Sequence, residues 1–126
     1  MITIIAPSRY KIHKKKLVSL IVPEITGKLP YEGAVLNVVF IGTRKMKTLS
    51  NTYKKENVAL PVLSFPYFPQ HDEMRYREPQ VIGEVIICFP QAVLLAAEKD
   101  KHLDSMLSDL ILHGIQNILN AEDKKT

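Results

Sequence analysis

The sequence has 126 residues, 46% of them hydrophobic and 24% charged, which predicts one globular domain over 1–126 with an ordinary apolar core. It has no apolar run of the ~18–20 residues that a membrane span needs. Its one cysteine, Cys88, excludes an internal disulfide framework. Its short N-terminal apolar run precedes the lysines, which is the reverse of the order in a secretory signal. These exclusions predict a cytoplasmic protein, and the formal net charge of +4 permits a polyanionic partner without requiring one.

Four short segments are predicted to be β-strands. Each is rich in β-branched or aromatic residues and lies next to proline or glycine, which often end strands. The segments are 2–6, 34–42, 61–68 and 80–88. Gly83 interrupts the fourth. The polar segment between the last two, 69–79, is predicted to be an exposed loop. Because this loop is too short for a crossover helix, these two strands are expected to be antiparallel.

Four other segments have the apolar spacing of helices. They are 11–22, 44–55, 90–100 and 102–120. Pro23 is expected to end or kink the first helix, and Thr43 to cap the second. The side chains expected to face inward from the second helix are Met46, Leu49 and Tyr53. Interleaved helices and strands predict an α+β or mixed α/β domain with one sheet of about four strands.

The longest helix, 102–120, carries the residues on which a functional interpretation depends. Its broad apolar stripe indicates a mostly enclosed helix, followed by a solvated tail at 122–126. His113 and Asn117 lie one turn apart at the edge of the stripe, so both side chains can point into one cleft. Gly114 leaves room beside them for backbone or a ligand. From the helix alone, a histidine bonded to a backbone carbonyl is favoured over a metal ligand.

Three stretches in sequence order resemble the YbeY family of rRNA maturation endoribonucleases. They are LSNTYKKENVALPVLSFP (49–66), IGEVIIC (82–88) and LILHGIQNILNAED (110–123). The resemblance implies an α+β fold with helices packed on a small sheet. It also implies a divalent metal, usually zinc, held by three histidines, and an arginine facing the RNA phosphate. The implied reaction is hydrolysis of RNA phosphodiesters in maturation and quality control of ribosomal RNA, notably at the small-subunit 3′ end.

The chain departs from this pattern at the implied metal site. His113 matches the first ligand, but the second and third positions carry Asn117 and Asp123, and the glycine-tyrosine-aspartate that usually precedes the third ligand reads 120–122, NAE. A carboxylate can bind zinc, whereas an amide suits harder cations. Zinc is therefore expected to bind weakly, to give way to magnesium or manganese, or to be lost.

The implied arginine position carries Lys54, which keeps the positive charge but not the two-pronged geometry of arginine. Other basic residues are expected to contact RNA phosphates: Arg44, Lys45, Lys55, Arg75 and Arg77. The implied partners are ribosomal RNA, the small ribosomal subunit or both, with no membrane and no DNA.

Two hypotheses follow from the resemblance. The first is a metal-dependent, single-strand-specific endoribonuclease, in which Lys54 is the catalytic cation and the metal ligands are His113, Asn117 and Asp123. The second is a catalytically silent YbeY-like protein that binds RNA or the ribosome and has lost the metal site.

Overall fold

The computed structural model describes residues 1–67 and 80–123, and for Glu122 and Asp123 it describes the backbone. Strands and helices follow the order β1 (Ile2–Ile5), α1 (Lys14–Ile25), β2 (Ala34–Ile41), α2 (Thr43–Lys54), β3 (Val62–Pro66), β4 (Gln80–Cys88), α3 (Phe89–Glu98) and α4 (Leu103–Asp123). No helix in this described part of the chain is long and apolar enough to cross a membrane. The predicted loop at 69–79 and the tail residues 124–126 lie outside the described residues.

The strands form one four-stranded sheet in the order β1-β2-β4-β3. Strands β1, β2 and β4 are parallel, and β3 runs antiparallel to β4 at one edge. The predicted α+β class, the sheet of about four strands and the antiparallel pair are therefore confirmed. Gly83, where an interruption was expected, does not break β4, and the pairing is only locally irregular beside it. Val35 pairs with Val81 and Leu36 with Gly83, which leaves Ile82 as the extra residue of a bulge.

The two faces of the sheet are covered by different helices. Along a strand, successive side chains point to opposite faces. On one face, buried β2 residues such as Val38 pack in a core with α1 and α4. On the other face, Ile41 packs with Met46 of α2 in a second, smaller core. The helices α1 and α4 therefore lie on one side of the sheet, and α2 lies on the other.

Several local predictions differ from the structure, and one is the end of α4, which continues to Asp123 instead of ending at 120. Of the two alternatives predicted for Pro23, the end of the helix is wrong, because α1 continues to Ile25, which is buried and extends the inward stripe of the helix. Thr43 is the first helical residue of α2, and Gly42 is the N-cap residue. Tyr53 was expected to face inward but is 60% exposed, whereas Ser50 is fully buried.

Candidate functional site

Two glycines bring α4 into close contact with the sheet. A Cβ atom placed on Gly114 would lie 2.6 Å from Cγ1 of Val85 in β4, and one on Gly83 would lie 2.8 Å from the side chain of Ile118. These two missing side chains let α4 cross β4 at short distance. The space beside Gly114, where the sequence suggested backbone or a ligand, is therefore filled by Val85.

His113 and Asn117 are exposed on the outer side of α4. Within the described chain, neither side chain has a hydrogen bond, so His113 is not held by a backbone carbonyl there. Two polar neighbours on the same helix are paired with each other, because Gln116 Nε2 donates to Asn120 Oδ1 at 3.0 Å. The imidazole and the amide are thus both accessible to a ligand, one turn apart as predicted.

The third predicted ligand position lies much further along the same helix. Helix α4 is continuous to Asp123, and at 1.5 Å per residue positions 113 and 117 are about 6 Å apart along its axis and positions 113 and 123 about 15 Å. Zinc needs all its protein donors within roughly 2.0–2.3 Å of one point. Among the side chains that are described, no three His, Cys, Asp or Glu residues form a metal-binding group. The described donors do not fit the three-histidine zinc centre implied by the resemblance.

Lys54 is held at a well-defined helix end. It is the last residue of α2, and Lys55 follows it in the left-handed conformation with φ 55°. The backbone N–H groups of Lys55 and Glu56 both donate to the carbonyl of Ser50. The Oγ of Ser50 accepts a hydrogen bond of 3.3 Å from the N–H of Leu60. These bonds close the helix and fix the exposed lysine at its end.

Lys54 and His113 are reached from opposite sides of the sheet. Helix α2 packs on one face and α4 on the other. Both helices meet the edge strand β3, since α4 lies against it and the ring of Tyr53 stands edge-on to Phe65 with centroids 4.9 Å apart. A single ligand that touches both residues would therefore have to reach both faces of the sheet.

A cluster that the sequence did not reveal lies next to Tyr53, the residue before Lys54. Phe65 in β3 is the direct cross-strand partner of Glu84 in β4. Tyr67 donates a hydrogen bond to the Glu84 carboxylate. Burial, and then this carboxylate, raise the pKa of Tyr67 above its ordinary value of 10.0. The one feature of the sequence that indicated this cluster was a charged residue, Glu84, within the apolar run 81–88. Nothing in the sequence singled out Tyr67.

Glu84→Gln is expected to lower the pKa of Tyr67, because it removes both the carboxylate charge and a strong acceptor while the burial remains. The measurement is a spectrophotometric tyrosine titration, in which Tyr67→Phe identifies the curve of this residue. Glu32→Gln is a suitable control, because it removes one carboxylate on the other side of the domain. An unchanged Tyr67 curve in Glu84→Gln would contradict the assignment. The pKa of Tyr67 is higher in the folded protein than in the unfolded chain. The contribution of Tyr67 to the free energy of unfolding is therefore complete below pH 10 and is lost as the pH rises above it.

The predicted RNA-binding residues fall at both ends of α2. Arg44 and Lys45 are exposed in its first turn, and Lys55 is exposed just after its last. Arg75 and Arg77 lie outside the described residues.

The chain is similar to known proteins over nearly its whole length. The family model described as "Endoribonuclease YbeY" matches residues 5–125. The chain is 26% identical over 113 residues to a protein named endoribonuclease YbeY from Alkaliphilus metalliredigens, of which it covers 73%. It is 30% identical over 113 residues to the protein of that name from Thermodesulfovibrio yellowstonii, and covers 65% of it.

Other relatives are considerably longer than the matched part. The chain covers 45% of the endoribonuclease YbeY of Cupriavidus necator, at 29% identity. The solution structure of TM1509 from Thermotoga maritima has the same fold, with a TM-score of 0.59 at 18% identity, covering 94% of this chain and 72% of that one. With a family model matched from residue 5 to residue 125, the chain belongs to the YbeY family.

Proposed function

We propose that this protein is an endoribonuclease that acts on single-stranded ribosomal RNA during its maturation, notably at the small-subunit 3′ end, and in ribosome quality control. The observation that carries the proposal is the family match over residues 5–125. Ribosomal RNA, alone or within the small subunit, is the proposed partner, and the cytoplasm is the expected location. The exposed cation, imidazole and aromatic rings around the edge strand β3 are the groups that such a substrate would meet.

In the proposed site the RNA passes around the outer edge of β3. Lys54 contacts a phosphate from the α2 side, where its ammonium group stabilises the negative charge that develops during hydrolysis. Tyr53, the residue before Lys54, and Tyr67 are 60% and 47% exposed. Such rings can stack on unpaired bases, which a duplex does not offer. His113 faces the RNA from the α4 side, where its imidazole can form a hydrogen bond with the strand.

The metal remains a separate proposal. The described donors do not fit a three-histidine centre, so no step of the reaction is assigned to a metal here. Divalent ions are expected to bind weakly, with His113 and Asn117 among the donors, while Asp123 lies too far along α4 to share the same ion with them. Thermal unfolding with zinc, manganese or magnesium tests this. A concentration-dependent rise in melting temperature that His113→Ala removes would support a metal site, and no rise would contradict it.

The cleavage assay tests the function itself. A single-stranded RNA containing a small-subunit 3′ end should be cut, and the same RNA annealed to a complementary strand should not. Lys54→Ala, purified identically, controls for contaminating nucleases and should lose most of the products. If wild type binds this RNA but never cuts it, with or without divalent ions, the silent RNA-binding hypothesis replaces the nuclease.

A further inference from the structure

A groove opens beside the first turn of α2, whereas Lys54 lies at the other end of this helix. It lies where the parallel strands β1 and β2 end and α2 begins, and its volume is about 840 Å³. Phe40 and Gly42 of the β2 end form part of its wall, and Ile5 and Pro7 of the β1 end form another part. The carboxyl end of parallel strands is a common place for ligand binding in sheets of this kind.

The charge of this groove is entirely positive. The cations that line it are Arg9, Arg44 and Lys45, and no aspartate or glutamate is among its described lining residues. None of the three cations forms an ion pair with any residue in 1–67 or 80–123. Three cations around one groove, with no counter-ion among these residues, repel one another, and an anionic ligand would relieve that repulsion.

Arg9 is held at the groove by a column of aromatic rings. Its guanidinium carbon lies 4.9 Å from the centroid of the Tyr10 ring. Tyr10 stacks on Phe89 with centroids 4.5 Å apart, and Phe89 stands edge-on to the buried Phe40 at 6.3 Å. The guanidinium is thus anchored to the core, so less side-chain entropy is lost when it binds a ligand.

The start of α2 adds hydrogen-bond donors to the same groove. Gly42 gives the helix no side-chain cap, and no acidic residue lies in its first turn. The first-turn N–H groups therefore remain available to an anion. A Cβ atom on Gly42 would lie 3.2 Å from the Tyr10 hydroxyl, so the glycine also leaves room for the aromatic column.

We propose that this groove binds the phosphodiester backbone of single-stranded RNA as a second contact, remote from the edge of β3. The inference rests on the proposed function, since it supplies a binding surface for the same substrate. Residues 43 and 54, at the two ends of α2, are about 17 Å apart, so a strand that lies along α2 can occupy both places. The exposed apolar Ile5 (47%) beside the cations suits sugars and unstacked bases.

The test compares two variants with equal charge loss. Arg9→Ala/Arg44→Ala/Lys45→Ala removes the groove cations, and Lys14→Ala/Lys15→Ala/Lys28→Ala removes three exposed lysines of α1 and the loop after it. Binding of a fluorescein-labelled oligouridine is followed by anisotropy at several salt concentrations. The groove variant should bind at least about tenfold more weakly. Its slope of log K against log salt, which is negative, should become shallower by about 2. The α1 variant should lose much less.

Two outcomes would overturn the proposal. One is an equal loss of affinity in both variants, which would indicate general charge attraction. The other is displacement of the RNA by inorganic phosphate at similar concentration, which would indicate a site for a small anion. The melting temperature of each variant establishes that it folds. If the triple variant does not fold, Arg44→Gln/Lys45→Gln replaces it, because this variant leaves the aromatic column intact.

The result is separable from the nuclease proposal. If the groove variant loses binding while wild type never cuts RNA, the groove is an RNA site and the nuclease proposal fails. If wild type cuts RNA and the groove variant binds and cuts it equally well, the groove proposal fails and the nuclease proposal stands.

Discussion

Gly114→Val is expected to destabilise the fold by about 3 kcal/mol, at the upper end of what overpacking a core costs. The added Cβ would lie 2.6 Å and 2.9 Å from the two methyl groups of Val85, which is fully buried. A β-branched valine has few rotamers, so Val85 cannot easily turn away. The better helix propensity of valine recovers only a few tenths of a kcal/mol. Thermal unfolding should show a fall in melting temperature of about 10 °C.

The matched control places the same residue type on the same helix where there is space. Ser105 is exposed on α4, and Ser105→Val should change stability by less than about 0.5 kcal/mol. A double-mutant cycle then identifies the partner. Gly114→Ala and Val85→Ala should each destabilise, and the double variant should be more stable than their sum predicts by at least about 1 kcal/mol. Strict additivity would show that another contact limits the approach of α4.

The elements of the fold were predictable because their signals are local. Short apolar, β-branched runs next to proline or glycine predicted the strands, helical apolar spacing predicted the helices, and the short link 69–79 predicted the antiparallel pair. The errors occurred where tertiary contacts decide. Ser50 faces inward, in place of Tyr53, because its hydroxyl accepts a hydrogen bond from the backbone N–H of Leu60 in the following loop. Whether Gly114 makes room for a ligand or for Val85 depends on which strand lies beneath the helix.

The candidate site was predictable only as far as the resemblance reaches. His113 and Asn117 were indicated by their spacing on the helix, whereas their role as ligands and the role of Lys54 came from the resemblance. All three side chains are exposed. The Tyr67–Glu84 pair and the groove around Arg9 were missed, because both form between residues that are distant in sequence. Continuity of α4 to Asp123 was also missed, although NAE in place of a glycine-containing triplet removes a residue that commonly ends a helix.

Lys54→Ala is expected to lower the rate of RNA cleavage by on the order of 10²-fold, the effect of removing one charge-stabilising group from a hydrolytic site. The affinity for RNA should change much less, because the other cations of α2 remain. A loss confined to kcat therefore indicates a contact made in the transition state, whereas a loss confined to KM indicates ground-state binding of the phosphate. Single-turnover cleavage of the single-stranded RNA, with binding measured in parallel by anisotropy, separates the two.

Two further variants make this result specific to position 54. Lys47 is exposed on α2 two turns before Lys54, so Lys47→Ala removes the same charge from the same helix and should reduce cleavage only slightly. Lys54→Arg should cleave at least as fast as wild type, because a guanidinium can donate two parallel hydrogen bonds to a phosphate where an ammonium acts as a point charge. Equal losses in Lys47→Ala and Lys54→Ala would indicate that α2 only attracts RNA, and would remove Lys54 from the reaction.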